Sequence, residues 1–436
     1  MTTQSSHEKT DQTSRRAFLK HSAAAAVTGS LLLNRSVHAA GSGTIKIGLV
    51  GCGGRGSGAA VNAMNAGKHI KLVAMADIFA DKLQASLANL KKAKPDQVAV
   101  DTDHQFVGFD GYQKVIDSGI DVILIACTSR FHPDYLAAAV KAGKHVFVEK
   151  PHALDVPHIK KVIAACEEAR KKGLCVVSGL CWRYDTGVRE TMKRVMDGAI
   201  GDIITIQENY MRSPYHLTKP EPGLSEIQYQ FRNWYHFNWL SGDDIAQSLI
   251  HSMDKGAWAM HDEPPVWAYG LGGRASLTDR VYGDVFDHFS IVYEYANGVR
   301  LYGVGRAQAP CFNETSDTFF GTKGKCRVIK HEIVGETNWK FEGQKKSMYD
   351  LEHEALFRAV ESGTPINSGK YMVNSTMLAI LGRMVAYTGR KITWEEVMRS
   401  TYQAGPDSPD FHTDPPVKPD ANGIYPVPIP GFTDLS

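Results

Sequence analysis

A glycine loop set between a strand and a helix constrains this chain most. Thr44 to Val50 is an apolar strand that runs directly into Gly51-Cys52-Gly53-Gly54-Arg55-Gly56, a loop with G-x-G-x-x-G spacing. Ser57 to Ala66 is rich in small residues and compatible with a helix, and Leu72 to Ala76 is a second apolar strand ending at Asp77. Strand, loop, helix, strand and an acid ~20 residues beyond the loop make a β-α-β dinucleotide-binding unit. Gly51 permits the tight turn, Gly53 lets the backbone approach a pyrophosphate, and Gly56 lets the helix pack closely on the strand, with Cys52, Gly54 and Arg55 completing the cradle. Asp77 can accept hydrogen bonds from adenosine ribose hydroxyls. Its carboxylate repels a 2′-phosphate, and no Arg or Lys follows before Lys82, so NAD is expected in preference to NADP.

The next elements extend the same sheet. Val122 to Ala126 is apolar throughout, as in strands covered on both faces. It ends in Cys127-Thr128-Ser129-Arg130-Phe131-His132, a loop at the carboxyl edge where dinucleotides bind, which makes Thr128 and His132 cofactor candidates. A helix over Pro133 to Ala142 and a strand over His145 to Val148 follow, and that strand ends in Glu149-Lys150-Pro151.

Upstream of the loop, Ser14-Arg15-Arg16-Ala17-Phe18-Leu19-Lys20 has the form of a twin-arginine leader. An apolar stretch from Ala23 to Leu33 and a small-residue site at Val37-His38-Ala39 complete it. The mature chain is expected to start near Ala40. Export by the twin-arginine translocation machinery accepts a folded cargo, so a dinucleotide scarce outside the cytoplasm can be loaded first and carried to the periplasm. The 436 residues, less roughly 40 of such a leader, suit about two domains. The expected division is a leader at 1–39, a Rossmann domain at 42–165, an α+β domain at 166–402, and a Pro/Gly-rich arm at 403–436.

Charge and cysteine usage narrow the class. The 49 basic and 47 acidic side chains nearly cancel, so no strong field points to nucleic acid. Beyond the leader nothing reaches the ~18 apolar residues of a membrane span. The seven cysteines are scattered and odd in number, which fits neither a disulfide framework nor a C-x-x-C metal site. His288, beside Asp287 and Phe289, lacks a spacing partner, so no metal is expected.

The string Ala142-Gly143-Lys144-His145-Val146-Phe147-Val148-Glu149-Lys150-Pro151, about 100 residues after the glycine loop, resembles the Gfo/Idh/MocA oxidoreductases. The resemblance extends through Ser178-Gly179, Trp182-Arg183-Tyr184, Gly242-Asp243, His251, Asp254, Gly272-Gly273-Arg274, Gly321-Thr322-Lys323-Gly324 and Ile380-Leu381-Gly382-Arg383. It implies a Rossmann domain followed by an α+β domain whose large, mostly antiparallel sheet keeps one open face, often used in homo-oligomers. The residues agree independently: Ile203 to Tyr210, Phe286 to Tyr295 and Val299 to Val304 have strand composition, and Asn297-Gly298 is a hairpin signal.

Removing hydride from a carbinol requires a base or polarising cation beside its oxygen. Lys150, at a sheet's carboxyl end before a proline that fixes the turn, projects into the cofactor cleft; the resemblance implies that it touches substrate and nicotinamide ribose, with Glu149 alongside. For His251 the resemblance implies a proton shuttle, whereas a lone histidine on the apolar stretch from Asp244 to Asp254 is otherwise a hydrogen-bonded core residue. Asp254, three residues on, either orients that imidazole or is a buried structural acid. Two positions depart from the dehydrogenase pattern. Gln247 replaces a carboxylate one turn before His251 and can hold a sugar hydroxyl without taking its proton. Cys181 stands where an amide usually lies near the nicotinamide.

Between Arg232 and Trp239 the sequence Arg-Asn-Trp-Tyr-His-Phe-Asn-Trp concentrates aromatic and hydrogen-bonding groups of the kind that hold sugars. Arg232 and Tyr235 are the substrate candidates there, with Trp239 expected to be structural, and Arg183 and Tyr184 are placed in the cleft. The expected activity is an exported, NAD-retaining oxidoreductase acting on a sugar, polyol or glycoside. Its rivals are an NAD-assisted glycosidase or lyase with transient ring oxidation, and a non-catalytic sugar sensor. If the leader is read by the twin-arginine route, changing Arg15 and Arg16 together to Lys leaves folded, cofactor-loaded protein in the cytoplasm. Normal periplasmic accumulation in a fractionation assay would refute that reading.

Overall fold

A computed structural model describes residues 43–435. The leader, its apolar stretch and its cleavage site lie outside the described residues.

Six short strands build the first sheet: β1 (Ile45–Val50), β2 (Ile70–Asp77), β3 (Gln105–Val107), β4 (Val122–Ile125), β5 (His145–Val148) and β6 (Val176–Ser178). They lie in the order β3-β2-β1-β4-β5-β6, every pair parallel. Crossover helices cover both faces, which is why β4 is buried at every residue and reads as Val-Ile-Leu-Ile. The chain reverses direction between β1 and β4, and the loops leaving these two strands diverge to open a crevice at the carboxyl edge. Close packing there demands glycine. At Gly51 (φ +96°) a Cβ would sit 2.4 Å from the Cys127 nitrogen, and at Gly56 it would sit 1.9 Å from the Gly51 carbonyl oxygen.

The expected domain limit at 165 falls inside the helix Val156–Lys172, which crosses over to β6. The first sheet therefore continues to Ser178. A three-residue strand leaves too little periodicity to mark the boundary in sequence.

The second sheet contains β7 (Ile203–Arg212), β8 (Trp267–Gly273), β9 (His288–Glu294), β10 (Arg300–Ala307), β11 (Glu314–Gly321), β12 (Gly324–Arg327), β13 (Glu332–Gly335), β14 (Trp339–Lys340) and β15 (Ile392–Thr393). Their order is β14-β13-β12-β11-β7-β10-β9-β8-β15. Only β7 and β10 pair in parallel; the other neighbours are antiparallel. Asn297-Gly298 makes the β9–β10 turn, with Gly298 at φ +82° and the Tyr295 amide bonded to the Val299 carbonyl at 2.9 Å. The helices Ile250–Ala259 and Gly369–Thr388 pack on one face of this sheet. Tyr269, Leu271 and Tyr302 project from the other face and are exposed. From Ser400 onward the described chain has neither helix nor strand and runs as an arm to 435. No helix among the described residues is long and apolar enough to cross a membrane.

Candidate functional site

The crevice at the carboxyl edge is a cleft of about 310 Å³. Gly51, Gly53, Gly54, Arg55, Asp77 and Thr128 line it. A Cβ at Gly53 or Gly54 would meet nothing within 4 Å, so both glycines face open space in front of the helix Gly54–Asn65, whose first amides have no intrahelical partner. Asp77 is fixed from both sides: one oxygen accepts from the Cys52 amide at 2.7 Å and the other from the Phe79 amide at 2.9 Å. Burial pushes its carboxyl above the ordinary value, opposed by those two bonds. The cradle thus offers space and helix amides for a pyrophosphate, and a positioned acid for ribose hydroxyls, which fits NAD. Cys52 contributes its amide to this arrangement while its thiol points into the interior, and Gly56 serves close packing under the loop.

A second cleft of about 200 Å³ adjoins the first and shares Arg55, Ala126, Cys127, Trp234 and Tyr235 with it. Lys150, His251, Gln247, Glu149, His132 and Tyr235 all line it. Lys150 extends from the end of β5, and its Nζ donates to the Gln247 carbonyl at 2.7 Å. Burial lowers its basicity, as does Arg212 nearby, while Glu149 opposes both. Glu149 forms an ion pair with Arg55 at 3.2 Å, and burial pushes its carboxyl up.

His251 follows a π-helical turn, Ile245–Leu249, at the start of the helix Ile250–Ala259. Such turns widen a helix locally and re-aim side chains. Burial, then Lys150, then Lys255 hold the imidazole well below its ordinary pKa, so it is neutral. Its Nδ1 is sealed in the interior without a partner, which leaves Nε2 as the nitrogen available to the cleft. The Gln247 amide hydrogens go to the Ser241 carbonyl at 2.5 Å and Ser129 Oγ at 3.1 Å, leaving the amide oxygen for a ligand hydroxyl.

Several sequence candidates sit elsewhere. Arg183 is buried, donating to both Asp254 oxygens and to Asp262, with its guanidinium between the rings of Trp258 and Tyr371. Asp254 is therefore committed to Arg183 and Ser375 and does not orient His251. Tyr184 lies near Tyr371 and Ser368 and lines neither cleft. Arg232 lies at the adenosine end, paired with Asp81 at 3.0 Å and over the Phe79 ring, and so is no substrate contact. Cys181 is 1% exposed and packs against Tyr349, lining neither cleft. His132 is held between the Pro151 and Cys127 carbonyls, and burial lowers its pKa to about 4. It shapes the turn between β4 and the Glu149-Lys150-Pro151 segment. Trp239 is structural, its indole donating to Gln230 at 2.8 Å.

Other wall residues escaped the sequence reading. Tyr215 stacks on Tyr235 at 4.1 Å, which stacks on Trp234 at 3.9 Å, and Arg212 covers the far side of Tyr215 at 3.4 Å. Tyr210, Ser129 and Tyr349 complete the second cleft. Tyr215 belongs to an irregular segment without periodicity, and Tyr349 enters from a helix of distant sequence position, so no local pattern marks either.

Residues 45–178 match the Gfo/Idh/MocA family model, described as "Oxidoreductase family, NAD-binding Rossmann fold". This part of the chain is accordingly an NAD-binding Rossmann domain. Inositol 2-dehydrogenase of Salmonella typhimurium is 26% identical over 221 residues, 50% of this chain and 56% of that protein, so the match spans little more than half the relative's length. Solved structures reproduce both sheets. Aldose-aldose oxidoreductase from Caulobacter crescentus complexed with glycerol has a TM-score of 0.63 at 18% identity, covering 80% of this chain and 99% of that one. The WlbA dehydrogenase from Bordetella pertussis in complex with NADH and UDP-GlcNAcA has a TM-score of 0.62 at 21% identity, covering 80% and 98%.

Two substitutions separate binding from architecture. Asp77→Ala should weaken NAD binding by about 1–3 kcal/mol in a calorimetric titration, the scale of a lost charged hydrogen-bond acceptor; unchanged affinity would remove Asp77 from the ribose site. Arg183→Met strands two carboxylates in the interior and should lower unfolding free energy by about 3–5 kcal/mol in urea titrations. A variant of parental stability would contradict the buried-pair role.

Proposed function

We propose that the chain is a Gfo/Idh/MocA oxidoreductase that oxidises a carbinol of a sugar, polyol or glycoside with retained NAD. The observation that carries this reading is that Lys150 and His251 face one cleft sharing a wall with the NAD cleft. Bound NAD supplies the hydride acceptor. In this reading Lys150 Nζ, held at 2.7 Å by the Gln247 carbonyl, also donates to the substrate oxygen and polarises it. His251 Nε2, on a neutral ring, accepts the hydroxyl proton as the carbonyl forms. The Trp234–Tyr235–Tyr215 stack offers flat apolar surface for C–H faces, and Tyr210, Gln247 and Tyr349 offer polar atoms. A twin-arginine leader fits retention, since an exported enzyme has little free dinucleotide to exchange with. Turnover then needs a second substrate that takes the hydride back.

Single-turnover reduction of bound NAD tests the assignment. Lys150→Met should retain NAD yet reduce it ~10²-fold or more slowly, the usual scale for a positioned acid-base group, and His251→Ala should slow it in the same direction. Because His251 is held below the ordinary imidazole value, the acid limb of the parental rate should lie below pH ~6.5 and vanish in His251→Ala. Parental rates in both variants would move the catalytic centre elsewhere. Release of an aglycone without net NADH would favour glycoside cleavage instead.

A further inference from the structure

The C-terminal arm reaches across to the adenosine end of the NAD cleft. One wall of that cleft belongs to residues 216–235 of the second domain, through His216, Thr218, Phe231, Arg232, Asn233 and Trp234 among others. Within this wall the short helix Glu226–Arg232 brings its last two residues, Phe231 and Arg232, to the cleft, and it meets the first domain at two places. Arg232 grips Asp81 with two hydrogen bonds, 3.0 and 3.1 Å, four residues past Asp77. Asp81 is 58% exposed, so this pair alone is a weak fastening.

The second fastening is aromatic, and the arm completes it. Phe411 packs against Phe79 at 5.5 Å and Phe109 at 4.9 Å, both from the first domain, and against Phe231 of the wall helix at 6.0 Å. Phe79 is two residues past Asp77 and gives Asp77 its amide. Edge and tilted contacts in such a cluster each add attraction beyond the area they bury.

The rest of the arm is tied to the same two bodies. The Ala404 amide donates to Asp155 at 2.9 Å, and Arg130 donates to the Pro406 carbonyl at 2.7 Å; both partners belong to the first domain. Further on, Gln230 of the wall helix donates to the Val417 carbonyl at 2.8 Å, Tyr425 donates to Glu226 at that helix's start, and the Tyr425 ring abuts Phe237 at 5.0 Å. An arm without helix or strand forfeits considerable chain entropy to lie still, and contacts such as these offset it. The first two hold the arm to the first domain, and the last three hold it to the wall helix and its neighbour Phe237.

We propose that residues 403–435 are a strap that keeps the wall helix closed over bound dinucleotide, with Phe411 as its fastening and Arg232–Asp81 as a second, exposed one. Swinging the wall aside to free the adenosine half separates Phe231 from Phe79 and Phe109, which Phe411 bridges, and breaks the Arg232–Asp81 pair. The strap gives the retained NAD of the proposed function its physical basis and rests on that reading.

A gate changes entry and exit together, whereas a direct ligand contact changes chiefly exit. The test is stopped-flow NADH fluorescence on the full chain. Phe411→Ala should raise both the association and dissociation rates by about tenfold or more, leaving Kd within a few-fold. Arg232→Ala, which cuts the exposed tie and uncovers one face of Phe79 but keeps the Phe411 ring contacts, should raise both rates by a smaller factor. Phe432→Ala, in the same arm at a side chain 87% exposed, should match the parent. If folding is lost in Phe411→Ala, hydrogen exchange of residues 226–232 in Phe411→Leu takes its place, with faster exchange expected. Parental rates in both Phe411→Ala and Arg232→Ala, or a rise in dissociation alone, would overturn the strap. A parent protein that binds no NADH would instead defeat the functional reading beneath it.

Discussion

One largely buried guanidinium ties the exit of the Rossmann sheet to the helix that carries His251. Arg183 lies in the turn that follows β6, and both acids that neutralise it come from distant sequence: Asp254 in the helix that carries His251, and Asp262 just beyond that helix. A desolvated guanidinium is tolerated only with close partners, and here two carboxylates and two aromatic rings surround it. Asp254 also accepts from Ser375 at 2.7 Å, so the helix Gly369–Thr388 is drawn to the same point. His251 and Asp254 share one helix less than a turn apart. The depth at which Arg183 holds Asp254 therefore sets how far His251 stands from the edge of the Rossmann sheet.

The Rossmann half was legible because each of its features has a local cause. Gly51 and Gly56 are glycines because a Cβ would strike backbone. The apolar run in β4 and the acid at the end of β2 likewise need nothing distant to explain them. Arg183, Asp254 and Arg232 were misplaced for the opposite reason. A charged residue near a cleft in sequence reads as a ligand contact, and its true partners lie 71, 79 and 151 residues away, where spacing carries no information. Asp254 does stand three residues from His251 on a helix, but its carboxylate satisfies a buried cation in preference to an imidazole, because leaving that cation unpaired costs far more. The Arg232–Trp239 segment divided along the same line: Phe237 and Trp239 are buried, while Trp234 and Tyr235 line both clefts.

The interior behind His251 is also charged, and its balance shapes the site. Lys255, one turn beyond His251, donates to the His251 carbonyl at 2.6 Å and pairs with Asp317 at 3.1 Å, both side chains almost fully buried. Glu208 lies beside Asp317, and burial together with Asp317 pushes its carboxyl well up, so it is held neutral. Lys255 and Asp317 make the ion pair of this interior. The pair anchors the helix to β11, and the carbonyl of the candidate base itself is part of the anchor.

This placement explains how a histidine without the usual carboxylate neighbour can serve the proposed reaction. An Asp–His pair stabilises imidazolium and raises the basicity of the ring. His251 has Lys150 and Lys255 near it, Asp254 turned away, and a sealed Nδ1 with no acceptor. Imidazolium formed here would have two cations close by and no carboxylate at Nδ1 to stabilise it, so in the proposed reaction a proton taken at Nε2 would be bound weakly and readily returned. That suits an enzyme whose NAD stays bound. The same cleft must give back a proton when the second substrate takes the hydride, and a base that binds its proton weakly is ready for both directions, whereas a strongly stabilised imidazolium would favour only the first.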